Sequence, residues 1–288
     1  MNVCIVGLGL LGGSFSLALR KEHKNVSVKG VDINEQNCRK AVELGIADEI
    51  VSFEEGISRS DLIVLATPGN VLINQITKAL DLMRPDAILT DLGSTKETLT
   101  RAVEDHPRRK RYVAAHPIAG TENSGPEAAF ASLMHHKTMI ICDRGKSDPD
   151  AVEKLEGLLK SIDMKIAHMN SKDHDRHIAF VSHLSHITSF VLGATVLDKE
   201  KDERSIFAMA GSGFSSTVRL AKSSPDMWAP IFSQNKENVL TALEAYINKL
   251  EYFKQIILND DEKASYELMH HANEIRRVLR GISKHESE

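Results

Sequence analysis

The sequence predicts an α/β fold, a doubly wound, mostly parallel sheet followed by an all-helical domain. Three observations carry this reading. Short apolar runs alternate with helix-like stretches through the first half of the 288 residues. The first such run passes through the glycine-rich turn GLGLLGGS, residues 7–14, into a helix-like segment. After about residue 168 no further β-branched run appears. Strands alternating with helices imply right-handed crossovers and a parallel sheet covered on both faces. The boundary is expected near residue 165, giving domains 1–165 and 166–288.

In chain order, the run VCIV predicts a strand near 3–6, and LLGGSFSLALRK a helix near 10–21. A strand near 26–31 (VSVKGV) and a helix near 35–44 follow. The next pairs are a strand near 62–66 with a helix near 72–82, and a strand near 87–91 with a helix near 96–104. Strands near 112–115 and 138–142, a helix near 149–162 and a strand near 165–168 complete the α/β part. The remainder reads as long helices broken at GSGFSS and SSPDMW.

A hydrophobic content of 42% over this length suffices for a sizeable core and two domains. The net charge of −4 comes with no polybasic arm, so composition points to neither nucleic acid nor an anionic membrane as partner. The three cysteines, Cys4, Cys38 and Cys142, lack paired or metal-like spacing, which suits a reducing cytoplasm. No apolar run approaches the length of a membrane span, and a strand directly after Met1 leaves no room for a signal peptide. A cytoplasmic globular protein is expected.

The turn reads G-x-G-x-x-G, a weak pattern on its own. In a doubly wound sheet this corner brings backbone N–H groups and a helix N-terminus up to a pyrophosphate. Gly7 would permit the tight turn, Gly9 the approach of the phosphates and Gly12 the packing of helix on strand. The fingerprint also requires an acid at the end of the second strand, about 20 residues on, and Asp32 in VKGVDIN supplies it. A carboxylate there accepts from ribose hydroxyls and repels a 2′-phosphate, so NAD is expected rather than NADP. Leu10 and Leu11 in the turn, with Thr67 and Pro68 at a later strand end, join the expected cofactor site.

Ligands of such sheets bind outside the carboxyl ends of the strands, here ATPG (66–69), DLGSTK (91–96) and AHPIAG (115–120). His116 precedes Pro117, which biases its backbone to an extended form, and an imidazole of pKa ~6.5 is a natural base for a hydroxyl proton. Ser94 and Lys96 are weaker candidates, because Ser94 could equally cap the following helix.

The stretch HDRHIAFVSHLSH holds His174, His177, His183 and His186. At about 100° per residue, one helix cannot gather all of them around one ion, and no metal site is expected. Phe180, Val181, Leu184, Ile187 and Val191 form an apolar stripe in which His177 reads as a structural histidine, while His186 on the polar face could line a cleft. Arg219 follows a flexible glycine segment and suits bidentate capture of a carboxylate. Trp228 reads equally as core or as pocket wall.

Together, GLGLLGGS, Asp32, DLGSTK, HPIAGTENSG, HDRHIAFVSHLSH and the segment from GSGF through Arg219 to Trp228 resemble the prephenate dehydrogenase family, which includes arogenate and cyclohexadienyl dehydrogenases. The resemblance covers nearly the whole chain. It implies NAD-dependent oxidative decarboxylation of prephenate to 4-hydroxyphenylpyruvate in tyrosine biosynthesis. His116 would act on the ring C4 hydroxyl, with Ser94 beside it and the nicotinamide. Arg219 would hold a substrate carboxylate, and His186, Thr121, Trp228 and the GSG segment would border the substrate. It further implies a homodimer through the helical domain. Two departures stand out: Gly211-Ser212-Gly213 where many relatives carry three glycines, and Ser215-Ser216 where many carry Lys-Asp. They leave open the gating of the site, prephenate against arogenate, and inhibition by tyrosine. As the chain ends after its helices, no fused regulatory or mutase domain is expected. The alternatives are an arogenate dehydrogenase, a 3-hydroxyacid dehydrogenase or imine reductase, and a non-catalytic NAD sensor. The last would need neither His116 nor Arg219.

Overall fold

The computed structural model describes residues 1–201 and 205–279. Its sheet alternates β1 (Asn2–Val6), α1 (Leu10–Glu22), β2 (Ser27–Val31), α2 (Glu35–Glu43), β3 (Glu49–Ile50), α3 (Phe53–Ser58), β4 (Leu62–Leu65), α4 (Gly69–Leu82), β5 (Ile88–Asp91) and α5 (Glu97–Ala102). It continues through β6 (Tyr112–Pro117), β7 (Thr138–Cys142), α6 (Pro149–Ser161) and β8 (Lys165–Met169). The strand order is β3-β2-β1-β4-β5-β6-β7-β8, parallel from β3 to β6. The chain starts in the middle and winds outward in both directions. The crevice where β1 and β4 part is therefore the place for a ligand in such a sheet.

Side chains alternate across each strand, and the two faces hold separate cores. Val3, Ile5, Val64, Val113 and Ile141 pack with Phe15 and Leu19 of α1 and Leu155 and Leu159 of α6. Cys4, Val6, Ile63, Leu65 and Ala114 pack on the other face with Ile57 of α3, Leu72 and Ile76 of α4 and Leu99 of α5.

The fold class is the one the sequence predicts, with three local differences. β3 and α3 were not anticipated. β3 is only two exposed residues long, and α3 is a short helix whose Ser52 caps it by accepting from the Glu55 amide. β7 runs antiparallel to β6, with Ala115 opposite Ile141 and His116 opposite Ile140. The connection from 118 to 137 holds only 3₁₀ turns, Pro126–Ala128 and Ala131–Leu133, and without a crossover helix the chain returns reversed. β6 itself extends past residue 115, so His116 and Pro117 are part of the strand.

Beyond β8 the described chain is helical. α7 (Ser171–Ile178), a π-helical turn (Ala179–His183) and α8 (Leu184–Glu200) follow one another in a single stretch. By length and composition alone, Ser171–Glu200 would be long and apolar enough to cross a membrane, which corrects the expectation that no run approaches that length. Phe180, Val181 and Val191 are exposed on it, so the apolar stripe does not face the core of its own chain. α9 (Ser212–Thr217) and α10 (Pro225–Gln234) complete one compact unit, Met1–Lys236. The second unit, Glu237–Glu288, holds most of α11 (Lys236–Leu258) and α12 (Glu262–Ala272), the latter capped by Asp261 through the Ala264 amide. Leu250, Ile257 and Tyr266 are exposed on these helices.

Gly12 shows how tightly α1 lies on the sheet: a Cβ there would fall 2.0 Å from the Gly7 carbonyl oxygen and 3.0 Å from Ile5. Gly12→Ala is expected to lower stability by about 1–3 kcal/mol, the usual cost of overpacking. Urea denaturation should show a lower midpoint with unchanged slope.

Candidate active site

At the end of β1, Gly7 adopts φ +93°, and its amide donates to the Val31 carbonyl at 2.8 Å. A Cβ at this position would lie 2.5 Å from the Ala66 carbonyl oxygen. A Cβ at Gly9 would meet nothing within 4 Å. Gly9 precedes α1 without a side-chain cap, and no acidic residue lies in the first turn. The first amides of α1, those of Leu10 and Leu11 among them, are thus left for an anion to satisfy. The Leu11 side chain packs against the core, so only its backbone faces that task.

Asp32, just past β2, accepts from the Leu8 amide at 2.9 Å and from the Asn34 amide at 2.9 Å. It ties the glycine turn to the next strand end and stays half-buried. Thr67 bonds the Gln75 side chain, and Pro68 leads into α4 at the adjoining strand end. These residues form an open cradle with amide donors at one end and a carboxylate at the other, which fits a dinucleotide.

At the end of β5, Asp91 is fully buried. It pairs with the fully buried Lys96 ammonium, accepts from the Tyr112 hydroxyl at 2.7 Å and accepts from the Gly93 amide at 2.9 Å. Lys96 is committed to this anchor and is not free for chemistry. Ser94 lies between these groups, half-buried, and it does not cap α5. That task falls to Asp175, whose carboxylate oxygens accept from the Lys96 amide at 2.7 Å and the Glu97 amide at 2.9 Å.

Asp175 also accepts from His174 Nδ1 at 2.7 Å, and His174 Nε2 lies 2.8 Å from Nδ1 of His116. His174, Asp175 and His116 are all buried. Burial, then the neighbouring His174, Lys96 and His183, hold the conjugate acid of His116 well below the ordinary histidine range, so the ring is neutral. His183 is pushed down to about 4, chiefly by burial. Its Nδ1 faces the Asn235 amide nitrogen at 3.3 Å, and that nitrogen also donates to the Asp175 carbonyl at 2.7 Å.

The helix start thus places its histidines differently from expectation. His174 is the buried, bonded member, whereas His177 is exposed and is not the structural histidine it resembled. A helical wheel shows which residues share a face, but not which face meets the sheet. The roles of His174, Asp175 and Asn235 were missed for the same reason, since their partners lie 58 to 79 residues away.

His186, half-buried, donates from Nδ1 to the Ser182 carbonyl at 3.0 Å and stacks on Trp228 with ring centroids 3.6 Å apart. Trp228 is buried and also meets His183 and Phe232, so it packs within an aromatic cluster beside His186. Its indole N–H has no hydrogen-bond partner among the described residues. Arg219 reaches the loop after β6, where it pairs with Glu122 at 3.2 Å with half its side chain exposed. Burial, opposed by the bond to Ser182, lowers the His186 pKa, and the charge of Arg219 lowers it further. Thr121, next to Glu122, accepts from the Asn123 amide at 3.2 Å and shapes that loop.

Comparison with known proteins gives two family matches along the chain. The family model described as prephenate dehydrogenase, nucleotide-binding domain, matches residues 15–168, and the one described as prephenate dehydrogenase, dimerization domain, matches residues 170–271. The chain is 29% identical over 281 residues to a prephenate dehydrogenase of Bacillus subtilis, covering 96% of this chain and 76% of that protein. It is similar to the crystal structure of prephenate dehydrogenase from Aquifex aeolicus in complex with hydroxyphenyl propionate and NAD+, at TM-score 0.89 and 33% identity over 97% and 98% of the two chains. It is also similar to the structure of Synechocystis arogenate dehydrogenase, at TM-score 0.76 and 25% identity over 97% and 100%. With both family models matched end to end along the sheet and the helices that follow, the chain belongs to the prephenate dehydrogenase family.

Proposed function

We propose that this protein oxidatively decarboxylates prephenate to 4-hydroxyphenylpyruvate with NAD, as a step of tyrosine biosynthesis. The observation that carries the reading is His116, a buried neutral imidazole at the carboxyl end of β6 with Nδ1 engaged by His174 and no bond at Nε2 among the described residues. Family membership removes the 3-hydroxyacid dehydrogenase and imine reductase alternatives.

Gly7, Gly9, the Leu10 and Leu11 amides and Gly12 would cradle the pyrophosphate, Asp32 the adenosine ribose, and Thr67 with Pro68 would border the cofactor at the next strand end. Bound NAD supplies the acceptor for the hydride that leaves ring carbon C4. His116 Nε2 takes the C4 hydroxyl proton as that carbon becomes a carbonyl. The ring carboxylate departs as CO₂, and its bonding pair completes the aromatic ring. His116 then returns the proton to the phenolic oxygen, so no proton is gained or lost overall. Ser94 would orient the same hydroxyl, and Arg219 would hold a substrate carboxylate beside His186, Thr121 and Trp228. Orientation of base and hydride acceptor is the main task, because aromatisation drives the rest.

The keto substrate is favoured over arogenate. Burying an ammonium requires a paired anion, and the segments 182–186 and 211–220 that would line the side chain carry no Asp or Glu. The exposed apolar residues Val181 and Val191 of the helical stretch, in the region matching the dimerization domain, support a homodimer. Asp175 fixes the start of that stretch to α5, which favours a globular, cytoplasmic protein over a membrane-spanning one.

The test is direct. Purified protein given prephenate and NAD is expected to form NADH and 4-hydroxyphenylpyruvate, with higher kcat/KM than for arogenate or for NADP. A higher kcat/KM for arogenate would reverse the substrate assignment, and equal use of NADP would remove Asp32 from the ribose.

His116→Asn is expected to keep the KM for NAD and to lose roughly 10²–10⁴-fold in kcat, the usual worth of a general base. The base works only when neutral, and its pKa is depressed. The wild-type kcat/KM should therefore stay flat down to about pH 6.5 and fall only below the ordinary histidine range. A profile with its midpoint above 6.5 would point to another group.

A further inference from the structure

A general base must present a lone pair, and a neutral imidazole has one on only one of its two nitrogens. Which nitrogen carries it on His116 is set by what His116 Nδ1 meets. That partner is His174 Nε2 at 2.8 Å, with the two rings edge to face at 73° and centroids 5.0 Å apart. The direction of this bond is fixed one residue further on. Both oxygens of the buried Asp175 carboxylate accept from backbone amides, Oδ1 from Lys96 and Oδ2 from Glu97. Oδ1 also faces His174 Nδ1 at 2.7 Å. A carboxylate acting as acceptor at both oxygens leaves His174 Nδ1 as the donor. A His174 ring that carries this one proton has its lone pair on Nε2; His116 then donates from Nδ1, and its own Nε2 is bare.

We propose that Asp175 and His174 are positioning residues that hold His116 in the tautomer with an unprotonated Nε2, the form able to take the substrate's hydroxyl proton. This rests on the proposed reaction only for its consequence; the proton positions themselves follow from the hydrogen-bond geometry. The charged and titratable groups around His116 include Lys96, already paired with Asp91, and His183, held by Asn235. None of these offers Nδ1 a competing acceptor among the described residues. The same carboxylate fixes the first turn of α5, directly after the loop that carries Ser94. One side chain of α7 therefore sets both the tautomer of the base and the start of the helix behind Ser94.

The experiment begins with long-range ¹H–¹⁵N NMR of histidine-labelled protein near pH 7.5, without ligands. His116 and His174 are both expected to carry the proton on Nδ1. In Asp175→Asn, His116 is expected to move toward the Nε2–H form. Kinetics on prephenate and NAD then separate positioning from packing. His174→Phe, which removes the acceptor, is expected to lose roughly 10- to 100-fold in kcat with the KM for NAD unchanged. His174→Gln, whose amide oxygen can accept from His116 Nδ1 without help from Asp175, is expected to recover most of that loss. The proposal is overturned if wild-type His116 carries its proton on Nε2, if the Phe and Gln variants are equally impaired, or if Asp175→Asn changes neither spectrum nor kcat. Should Asp175→Asn fail to fold for want of its cap on α5, the wild-type spectrum and the two His174 variants decide. Should the wild-type protein leave prephenate untouched, the functional reading fails while the spectrum still decides the proton positions.

Discussion

A carboxylate buried on a helix must find donors or lose several kcal/mol of solvation. Asp175 finds four: the amides of Lys96 and Glu97 and Nδ1 of His174 at its oxygens, and the Asn235 side chain at its backbone carbonyl. These bonds join the start of α7 to the start of α5 and to the residue that follows α10. The placement of the catalytic candidates depends on them. His116 is oriented through His174, the loop bearing Ser94 ends at the turn Asp175 caps, and His183 meets Asn235 in the same network.

A second buried constraint lies beside the first. Asp91 and Lys96 form an ion pair with no solvent exposure, and the carboxylate also accepts from the Tyr112 hydroxyl and the Gly93 and Ala115 amides. A buried pair of this kind gains little net stability over an apolar replacement, but breaking it by removing one partner costs about 3–5 kcal/mol. Its effect is on geometry. The loop from β5 to α5 is anchored at both ends, by Asp91 on one side and by Asp175 on the other, so Ser94 is carried on a short tether rather than a free loop.

The region of His186, Arg219 and Trp228 is built differently, with more exposure and looser contacts. His186 is braced by Trp228, and Arg219 reaches out to Glu122. Ser216 and Thr217 turn their hydroxyls back onto the Gly213 carbonyl at 2.9 and 2.8 Å. With no charge at 215 or 216, Arg219 has Glu122 as its carboxylate partner. A half-exposed pair contributes little to stability, so this contact is easily given up.

Sequence alone determined what is local. The positive φ of Gly7, the close packing at Gly12 and the position of Asp32 after β2 follow from spacing within one strand-turn-helix-strand unit. Strand and helix periodicity likewise placed most of the sheet. The two-residue β3 and the Ser52-capped α3 escaped because neither run is long enough to register a period, and the reversal of β7 escaped because strand direction is set by the helix-free connection before it, not by the strand's own run. His116 could be singled out as a candidate from the sequence, because it sits in a strand end whose motif is distinctive. It was not legible at His174, Asp175 and Asn235, and His177 was taken for the structural histidine in place of His174. Periodicity assigns residues to faces of a helix, but only the packing of α7 against α5 and β6 decides which face is buried. Hydrogen bonds between groups 58 to 79 residues apart exist only once that packing has formed.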